Sequence, residues 1–192
     1  ATFRRDQGYS DGRHPDQVTF CSAQEDAQRR DFTVNGMFFD PLENRVVDYV
    51  GGQEDLQRGL VRAIGDPAAR FAEDKLRMLR AVRFAATLKF AIDPGTLAAI
   101  QRHAAELVLV SAERIAAELR RMLVDENRAQ AVELLVASGL LPVVLPELRD
   151  LAPASAAVGE SPAWQTTMSI LRRLQTSRFS VVLAALLRES SG

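Results

Sequence analysis

The chain has little cysteine, histidine or lysine, and each scarcity excludes a class of protein. Among its 192 residues there is one cysteine, Cys21, so no internal disulfide framework can form. Two histidines, His14 and His103, are too few for a histidine metal cluster. Lysine occurs only at 75 and 89, so arginine, whose planar fork of donors suits phosphate groups, carries nearly all of the positive charge.

A charge excess and long apolar runs are also missing. The formal net charge of -1 gives no general attraction to nucleic acid, so RNA binding would require a local basic surface. No apolar run approaches the roughly 18 to 20 residues of a membrane span, and the polar start lacks a signal-peptide pattern. With 47% hydrophobic residues the chain is too apolar to be disordered. We therefore expect a folded, cytoplasmic protein with no membrane partner.

Residues 1 to about 60 are typical of short strands and turns. Three β-prone segments predict strands, the last two joined as a hairpin: 18–21, 33–39 and 45–50. Residues 9–16 contain many turn formers and predict a loop. Ser22 followed by Glu25 is a capping-box signal, which predicts a short helix ending at Arg30.

From about Asp66 the pattern changes to helices rich in Ala and Leu. Start and stop signals predict helices near 68–88, 94–105, 111–124, 127–138, 162–176 and 179–189. Residues 150–162 have little periodicity and predict a linker. The predicted fold class is α+β, a partial β-containing head followed by an all-helical body.

The first motif, Arg29–Gly36, places arginine beside aspartate at a predicted helix-to-strand junction. Arg30 can pair with a triphosphate, and Asp31 can accept hydrogen bonds from ribose hydroxyls. On an alternating strand, Thr33 and Asn35 would face the same side. The alternative is a simple surface ion pair, which is common and weak.

The second motif, Glu73–Arg80, predicts one face of a long amphipathic helix. Asp74 and Arg77 lie about 60° apart on that helix, so they can form an acceptor and donor pair in one cleft. Adenine and cytosine both present an amino donor next to a ring-nitrogen acceptor, which such a pair matches, whereas guanine and uracil do not. The alternative is a solvated face in which Glu73 pairs with arginines at helical spacing.

Together the two motifs resemble those of the class II tRNA nucleotidyltransferases and bacterial poly(A) polymerases, RRDFT(I/V)N(A/G) and EDxLRxxRAxRF. The resemblance implies ATP and CTP as substrates, the tRNA 3' end as partner and Mg²⁺ as cofactor. It implies that six residues bind the nucleotide: Arg30, Asp31, Asn35, Asp74, Arg77 and Arg80. It also implies four segments: a head at 1–60, a helical neck at 61–125, the start of a body at 126–150, and a linker with further helices at 151–192.

Five further residues are implied to have structural or hinge roles: Gly51, Gly52, Glu73, Arg114 and Glu118. Asp48–Gly52 resembles the segment that links head to neck, where the two glycines would act as a hinge. Ser111–Leu119 resembles the neck-stabilising motif of the family. There we expect an N-cap at Ser111 and an ion pair between Arg114 and Glu118.

The metal-binding signatures of the family are missing. The family holds its catalytic metal on an Asp-x-Asp pair before the first motif, and this sequence contains no Asp-x-Asp. We therefore expect a fragment or half of a split enzyme, inactive alone and without catalytic or metal-binding residues. In the last segment, Thr166 and Arg188 stand where many bacterial members have the histidines of an HD-type phosphohydrolase, which predicts no metal there.

The leading hypothesis is a tRNA 3'-end nucleotidyltransferase that adds CCA, CC or A. The alternatives are a noncatalytic RNA-binding or partner-binding remnant of the family and a poly(A) polymerase. A metal phosphohydrolase is disfavoured by the histidine count. The two motifs are common to CCA, CC, A and poly(A) addition, and the sequence predicts no oligomeric state.

Overall fold

The structure, a computed structural model, describes residues 4–7, 17–20, 22–153 and 161–189. Its first two strands, β1 (Arg4–Gln7) and β2 (Gln17–Phe20), pair antiparallel. The strand predicted at 18–21 is thus confirmed up to Phe20. Cys21 and the predicted loop at 9–16 lie outside the described residues.

Helix α1 (Ala23–Gln28) begins with the predicted capping box. Ser22 Oγ accepts from the Glu25 backbone N–H at 3.2 Å, and the Glu25 carboxylate accepts from the Ser22 N–H at 2.9 Å. The predicted hairpin is confirmed as β3 (Met37–Asp40) paired with β4 (Arg45–Asp48).

The predicted strand does not begin at residue 33, because Thr33–Asn35 forms a 3-10 turn. The expectation that Thr33 and Asn35 share one side of a strand is therefore wrong. The cause is local, since Asp31 Oδ1 accepts from the Phe32 N–H at 2.9 Å and from Asn35 Nδ2 at 3.0 Å. Such side-chain bonds compete with a sheet ladder and favour a turn.

After the hairpin, α2 (Gly52–Arg58) leads into β5 (Leu60–Val61), which pairs in parallel with β6 (Ala91–Ile92). Two helices lie between these strands, α3 (Pro67–Glu73) and α4 (Arg77–Leu88).

The single helix predicted at 68–88 is wrong, because the chain leaves the helix at Asp74. Asp74 has extended backbone angles (φ -149°, ψ 105°), and its carboxylate accepts from the Leu76 N–H at 3.1 Å. Aspartate commonly makes such local bonds, which offer the backbone an alternative to the helix. The second motif therefore spans a helix break.

The remaining chain is helical, as predicted. Its α-helices are α5 (Pro94–His103), α6 (Ala112–Val124), α7 (Arg128–Ala137), α8 (Leu141–Val144), α9 (Pro162–Arg173) and α10 (Phe179–Leu187). Two 3-10 segments, Ala104–Leu109 and Pro146–Leu148, connect some of them. The helices predicted from 94 onward are confirmed with ends shifted by a few residues.

One hydrophobic core extends from Phe32 in the first motif to Leu186 in α10. Helix α4 packs against α6 and α7 and buries Met78, Leu79 and Val82, while its Arg77 and Arg80 are only partly buried. The described residues form three two-stranded sheets and a helical majority, so the α+β class is confirmed. In the part of the chain that the structure describes, no helix is long and apolar enough to cross a bilayer. The division into four segments stays a prediction.

Candidate nucleotide-binding site

An open pocket of about 620 Å³, the nucleotide pocket, lies between the first motif and the start of α4. All six predicted nucleotide-binding residues line it: Arg30, Asp31, Asn35, Asp74, Arg77 and Arg80. The other lining residues are Arg29, Leu76, Phe84 and Arg114. With five arginines and two aspartates, the wall is cationic overall, which suits a polyphosphate.

An ion pair joins the two motifs across 49 positions of sequence. Asp31 Oδ2 accepts two hydrogen bonds from Arg80, at 2.8 Å from Nε and 2.5 Å from Nη2. Asp31 Oδ1 meanwhile accepts from Asn35 Nδ2. The Asp31 side chain is only 10% exposed, so this three-residue chain of contacts is held firmly in the pocket wall.

Backbone contacts hold the first motif against the segment that follows β5. The Thr33 N–H donates to the Arg62 carbonyl at 3.0 Å, and the Ile64 N–H donates to the Asp31 carbonyl at 3.2 Å. The first motif is therefore attached to the same segment that leads into α3, which places it opposite the second motif.

A buried carboxylate, Asp55 on α2, holds the Thr33–Asn35 turn in place. It accepts from Thr33 Oγ1 at 2.7 Å and from Arg62, whose Nη2 lies 2.9 Å from Oδ1. Burial opposes ionisation of this carboxyl, but the hydrogen bonds and charge of Arg62 and the Thr33 hydroxyl hold the pKa of Asp55 below its usual value. Arg62 also lies 3.2 Å from Asp93, the cap of α5, so the turn is tied to the helical part of the chain.

The base-reading pair predicted from the second motif lies at the helix break. Asp74 ends α3 and Arg77 begins α4, and their backbones bond directly, Arg77 N–H to Asp74 carbonyl at 3.1 Å. Arg77 Nη1 also donates to the Glu73 carboxylate at 2.6 Å and to the Arg70 carbonyl at 3.1 Å. The break thus holds the acceptor and the donor adjacent, although they do not share one helix.

The expected ion pair between Arg114 and Glu118 is wrong. Arg114 Nη2 instead donates to Asp74 Oδ2 at 2.8 Å, which brings α6 to the pocket. Glu118 is buried and accepts from Arg83 at 2.6 Å and from Arg121 at 2.7 Å. One helical turn separates the two residues, but each has a closer partner on another element or turn. Ser111 stands at the predicted N-cap position without a side-chain cap bond.

The glycines predicted as a hinge are tightly placed. Gly51 has φ 79°, the left-handed region, and begins α2. A Cβ on Gly52 would lie 2.3 Å from the Thr33 carbonyl oxygen, so only glycine lets α2 approach the turn. Asp48 stabilises this corner by accepting from the Val50, Gly51 and Gln53 backbone N–H groups at 2.9 to 3.0 Å. The left-handed backbone accounts for Gly51, and the close approach to Thr33 accounts for Gly52. A hinge motion at these glycines stays a prediction.

Burial opposes ionisation of Asp48, yet its backbone N–H donors keep the pKa of Asp48 below its usual value. The corner therefore holds a charged carboxylate at neutral pH.

Sequence reasoning assigned no role to two residues that shape the pocket, Phe84 and Asp26. Phe84 lines it with the Arg80 guanidinium 5.3 Å from its ring centre, and the ring meets Phe32 edge-on at 5.8 Å between centroids. Asp26, on α1, binds the side chains of Arg29 and Arg30. The signal for Asp26 was available, because an aspartate three and four residues before two arginines on a helix places all three on one side.

The side chains that could hold a metal ion are His, Cys, Asp and Glu. Among the described residues, no three His, Cys, Asp or Glu side chains come together in a way that could hold a metal ion. The described residues therefore supply no cluster of ligands for the Mg²⁺ that the resemblance implies.

Two family models match the sequence. Residues 1–62 match the "Poly A polymerase head domain", and residues 89–151 match the "Probable RNA and SrmB- binding site of polymerase A". A CCA-adding enzyme of Limosilactobacillus reuteri is 46% identical over 140 residues, which cover 72% of this chain and 34% of that protein. The chain belongs to the class II tRNA nucleotidyltransferase and poly(A) polymerase family.

Other members agree with this assignment. A CCA-adding enzyme of Geobacillus sp. is 45% identical over 150 residues, 78% of this chain and 37% of that protein. The solved structure of Bacillus stearothermophilus CCA-adding enzyme in complex with CTP superposes with a TM-score of 0.68 at 33% identity, covering 96% of this chain and 46% of that one. This family member thus spans about a third of the length of the curated relatives it matches.

Proposed function

We propose that the chain acts in a tRNA 3'-end nucleotidyltransferase as the part that selects the nucleotide. The observation that carries the proposal is the single pocket in which Asp74 and Arg77 lie with Arg30, Asp31 and Arg80. The arginines suit the triphosphate and the carboxylates suit hydroxyl or amino donors, so one nucleoside triphosphate can satisfy both.

Base selection would rest on the pair at the helix break. An Asp74 carboxylate oxygen accepts from the exocyclic amino group of adenine or cytosine, and Arg77 donates to the neighbouring ring nitrogen. Guanine and uracil present a carbonyl where the amino group is needed, so they would leave Asp74 facing an acceptor. ATP and CTP are therefore the proposed substrates, and the protein serves as the template.

The proposed reaction is attack of the tRNA terminal 3'-hydroxyl oxygen on the α-phosphorus. A new phosphodiester bond forms as the hydroxyl releases its proton to solvent, the bond between the α-phosphorus and the oxygen that bridges it to the β-phosphorus breaks, and pyrophosphate leaves. The arginines of the nucleotide pocket bind the triphosphate and hold its charge. We propose Mg²⁺ as cofactor of the enzyme, with no ligand assigned among the described residues and no step derived from it. The cytoplasmic location stays a prediction.

A poly(A) polymerase is the second candidate, because the head-domain model that matches residues 1–62 bears that name. The curated relatives named CCA-adding enzyme favour the first.

The test is incorporation of labelled CTP and ATP, with magnesium, into tRNA lacking its CCA end, tRNA ending in CC, and unrelated RNA. Both the 192-residue chain and the full product of its gene would be assayed. We expect short, tRNA-specific addition by the full product, and nucleotide binding without transfer by the chain. Long A tails on unrelated RNA would establish the poly(A) polymerase, and RNA binding without any transfer would establish the noncatalytic remnant.

A further inference from the structure

Asp26 is a buried carboxylate that the proposed reaction does not use. Its side chain is 3% exposed, at the last turn of α1 beneath the pocket wall. Oδ1 accepts from Arg29 Nε at 2.9 Å and Nη2 at 2.5 Å, whereas Oδ2 accepts from Arg30 Nε at 3.1 Å and Nη2 at 3.0 Å. One carboxylate therefore holds two adjacent arginines, one on each oxygen.

Arg30 is held on further sides. Its Nη1 donates to the Asn35 carbonyl at 2.8 Å, and its guanidinium lies 4.7 Å from the centre of the Phe38 ring. Together with the two hydrogen bonds to Asp26, the bond to the Asn35 carbonyl uses three of the five N–H groups of the guanidinium. The Arg30 side chain is 37% exposed and lines the pocket, so solvent and a ligand can reach it.

The charge balance at the two arginines gives this carboxylate a role. Two neighbouring guanidinium groups repel each other, and a carboxylate between them reduces that repulsion while leaving a net positive charge on the wall. Burial opposes ionisation of the carboxyl, but the hydrogen bonds and charges of Arg29 and Arg30 keep the pKa of Asp26 below its usual value. The Asp26 carboxylate therefore remains charged at neutral pH.

We propose that Asp26 is a positioning residue for triphosphate binding, which holds Arg29 and Arg30 at a fixed spacing so that they bind phosphate oxygens without rearrangement. This inference rests on the proposed function. Side chains fixed before binding lose less conformational freedom when the ligand arrives, so affinity is gained. Since the phosphates are common to all nucleotides, the contribution of Asp26 is independent of the base.

The test compares Asp26→Asn, which keeps the shape and loses the charge, with Asp26→Glu. Dissociation constants for ATP, CTP, GTP, UTP and inorganic pyrophosphate would be measured by calorimetry on the 192-residue chain, with circular dichroism to check folding. For Asp26→Asn we expect about tenfold weaker binding of every one of these ligands, at an unchanged preference for ATP and CTP, and partial rescue by Asp26→Glu. The matched control is Glu54→Gln, which removes an exposed carboxylate paired with Arg58 outside the pocket and should change nothing.

A second variant separates positioning from a merely structural role. In the Arg29→Gln/Arg30→Gln background, Asp26→Asn should weaken pyrophosphate binding less than twofold, because the residues it acts through are gone. The same tenfold loss in that background, or a loss confined to ATP and CTP, would overturn the inference. If the unaltered chain binds neither nucleotides nor pyrophosphate, the proposed function fails and the inference fails with it. If a folded Asp26→Asn variant binds these ligands with unchanged affinity, the inference about Asp26 fails while the proposed function stands.

Discussion

Asp74 shows how one residue can serve both the backbone and the ligand. Its Oδ1 accepts from the Leu76 N–H and its Oδ2 from Arg114, so the carboxylate is oriented before any base arrives. A carboxylate has about four lone-pair directions, so two such bonds leave capacity for an amino group. The contacts at the helix break therefore orient the acceptor that the proposed base selection requires.

We predict that Asp74→Ala or Arg77→Ala reduces discrimination of ATP and CTP from GTP and UTP by about 10- to 100-fold each. A hydrogen bond to a charged group contributes about 1.5 to 3 kcal/mol, and about 1.4 kcal/mol is a factor of ten. The measurement is kcat/KM for the four nucleotides with the full gene product. Arg58→Ala, an exposed arginine outside the pocket, is the control. Retained discrimination in both variants would refute the templating role.

Arg114 and Glu118 should behave differently, although they lie one helical turn apart. Arg114→Ala removes the partner of Asp74, so we expect discrimination to fall by about tenfold, or about 1.4 kcal/mol. Glu118→Gln leaves Arg83 with an uncharged partner, so the midpoint of thermal unfolding should fall while discrimination is unchanged. Equal effects of the two variants on discrimination would mean that they act as the pair expected from sequence.

Among the described residues, the sequence predicted α1, the β3–β4 hairpin and the longer helices, but it missed the short helices α2 and α8 and the interruptions at Thr33 and Asp74. Periodicity and start and stop signals located α5, α6, α7, α9 and α10. The errors at Thr33 and Asp74 share one cause. In both places an aspartate carboxylate bonds the nearby backbone, and such short-range polar contacts do not change the hydrophobic pattern.

Helix α2 approaches the first motif closely at Gly52. Gly52→Ala would place a Cβ 2.3 Å from the Thr33 carbonyl oxygen, a backbone atom that cannot move without displacing the turn. Overpacking of this kind costs about 1 to 3 kcal/mol, which lowers the midpoint of thermal unfolding by roughly 2 to 12 °C in a chain of this size.

The matched variant is Gly51→Asn at the neighbouring position. No atom lies within 4 Å of a Cβ there, and asparagine tolerates the left-handed backbone better than other residues do. We expect Gly51→Asn to shift the midpoint less than Gly52→Ala, and to leave nucleotide affinity intact. If the two variants shift it equally, the close approach is not the reason for Gly52.

At the scale of the whole molecule, the site exists only because the fold brings distant segments together. The sequence supplied the six predicted residues through two motifs, and the structure places all six in one pocket. The sequence could not predict the contacts between these residues, since the Asp31–Arg80 ion pair spans 49 positions. Arg114 could be predicted as important but not as a neighbour of Asp74, because that contact depends on how α6 packs against α4.

Three carboxylates hold neighbouring segments of this assembly together: the buried Asp26 and Asp55 and the partly buried Asp48. Each has a pKa below its ordinary value of 3.8 in the folded chain, because hydrogen-bond donors outweigh the effect of burial. Between the lowered and the ordinary values, the unfolded chain binds more protons than the folded chain. Stability therefore increases with pH across that interval, is fully present above it, and is lost as pH falls through the lowered values.

We predict that the free energy of unfolding, measured with urea, is nearly constant from about pH 7 to pH 5 and falls steeply below about pH 4. Asp55→Asn should be less stable than the unaltered chain at pH 7, because Arg62 and Thr33 lose a charged partner. It should also lose less stability on acidification, since an amide does not titrate. Glu54→Gln, on the exposed side of the same helix, should follow the pH curve of the unaltered chain. If Asp55→Asn instead runs parallel to that curve between pH 5 and pH 2, Asp55 does not contribute to the acid sensitivity, and the tie between the first motif and the helical part of the chain is not electrostatic.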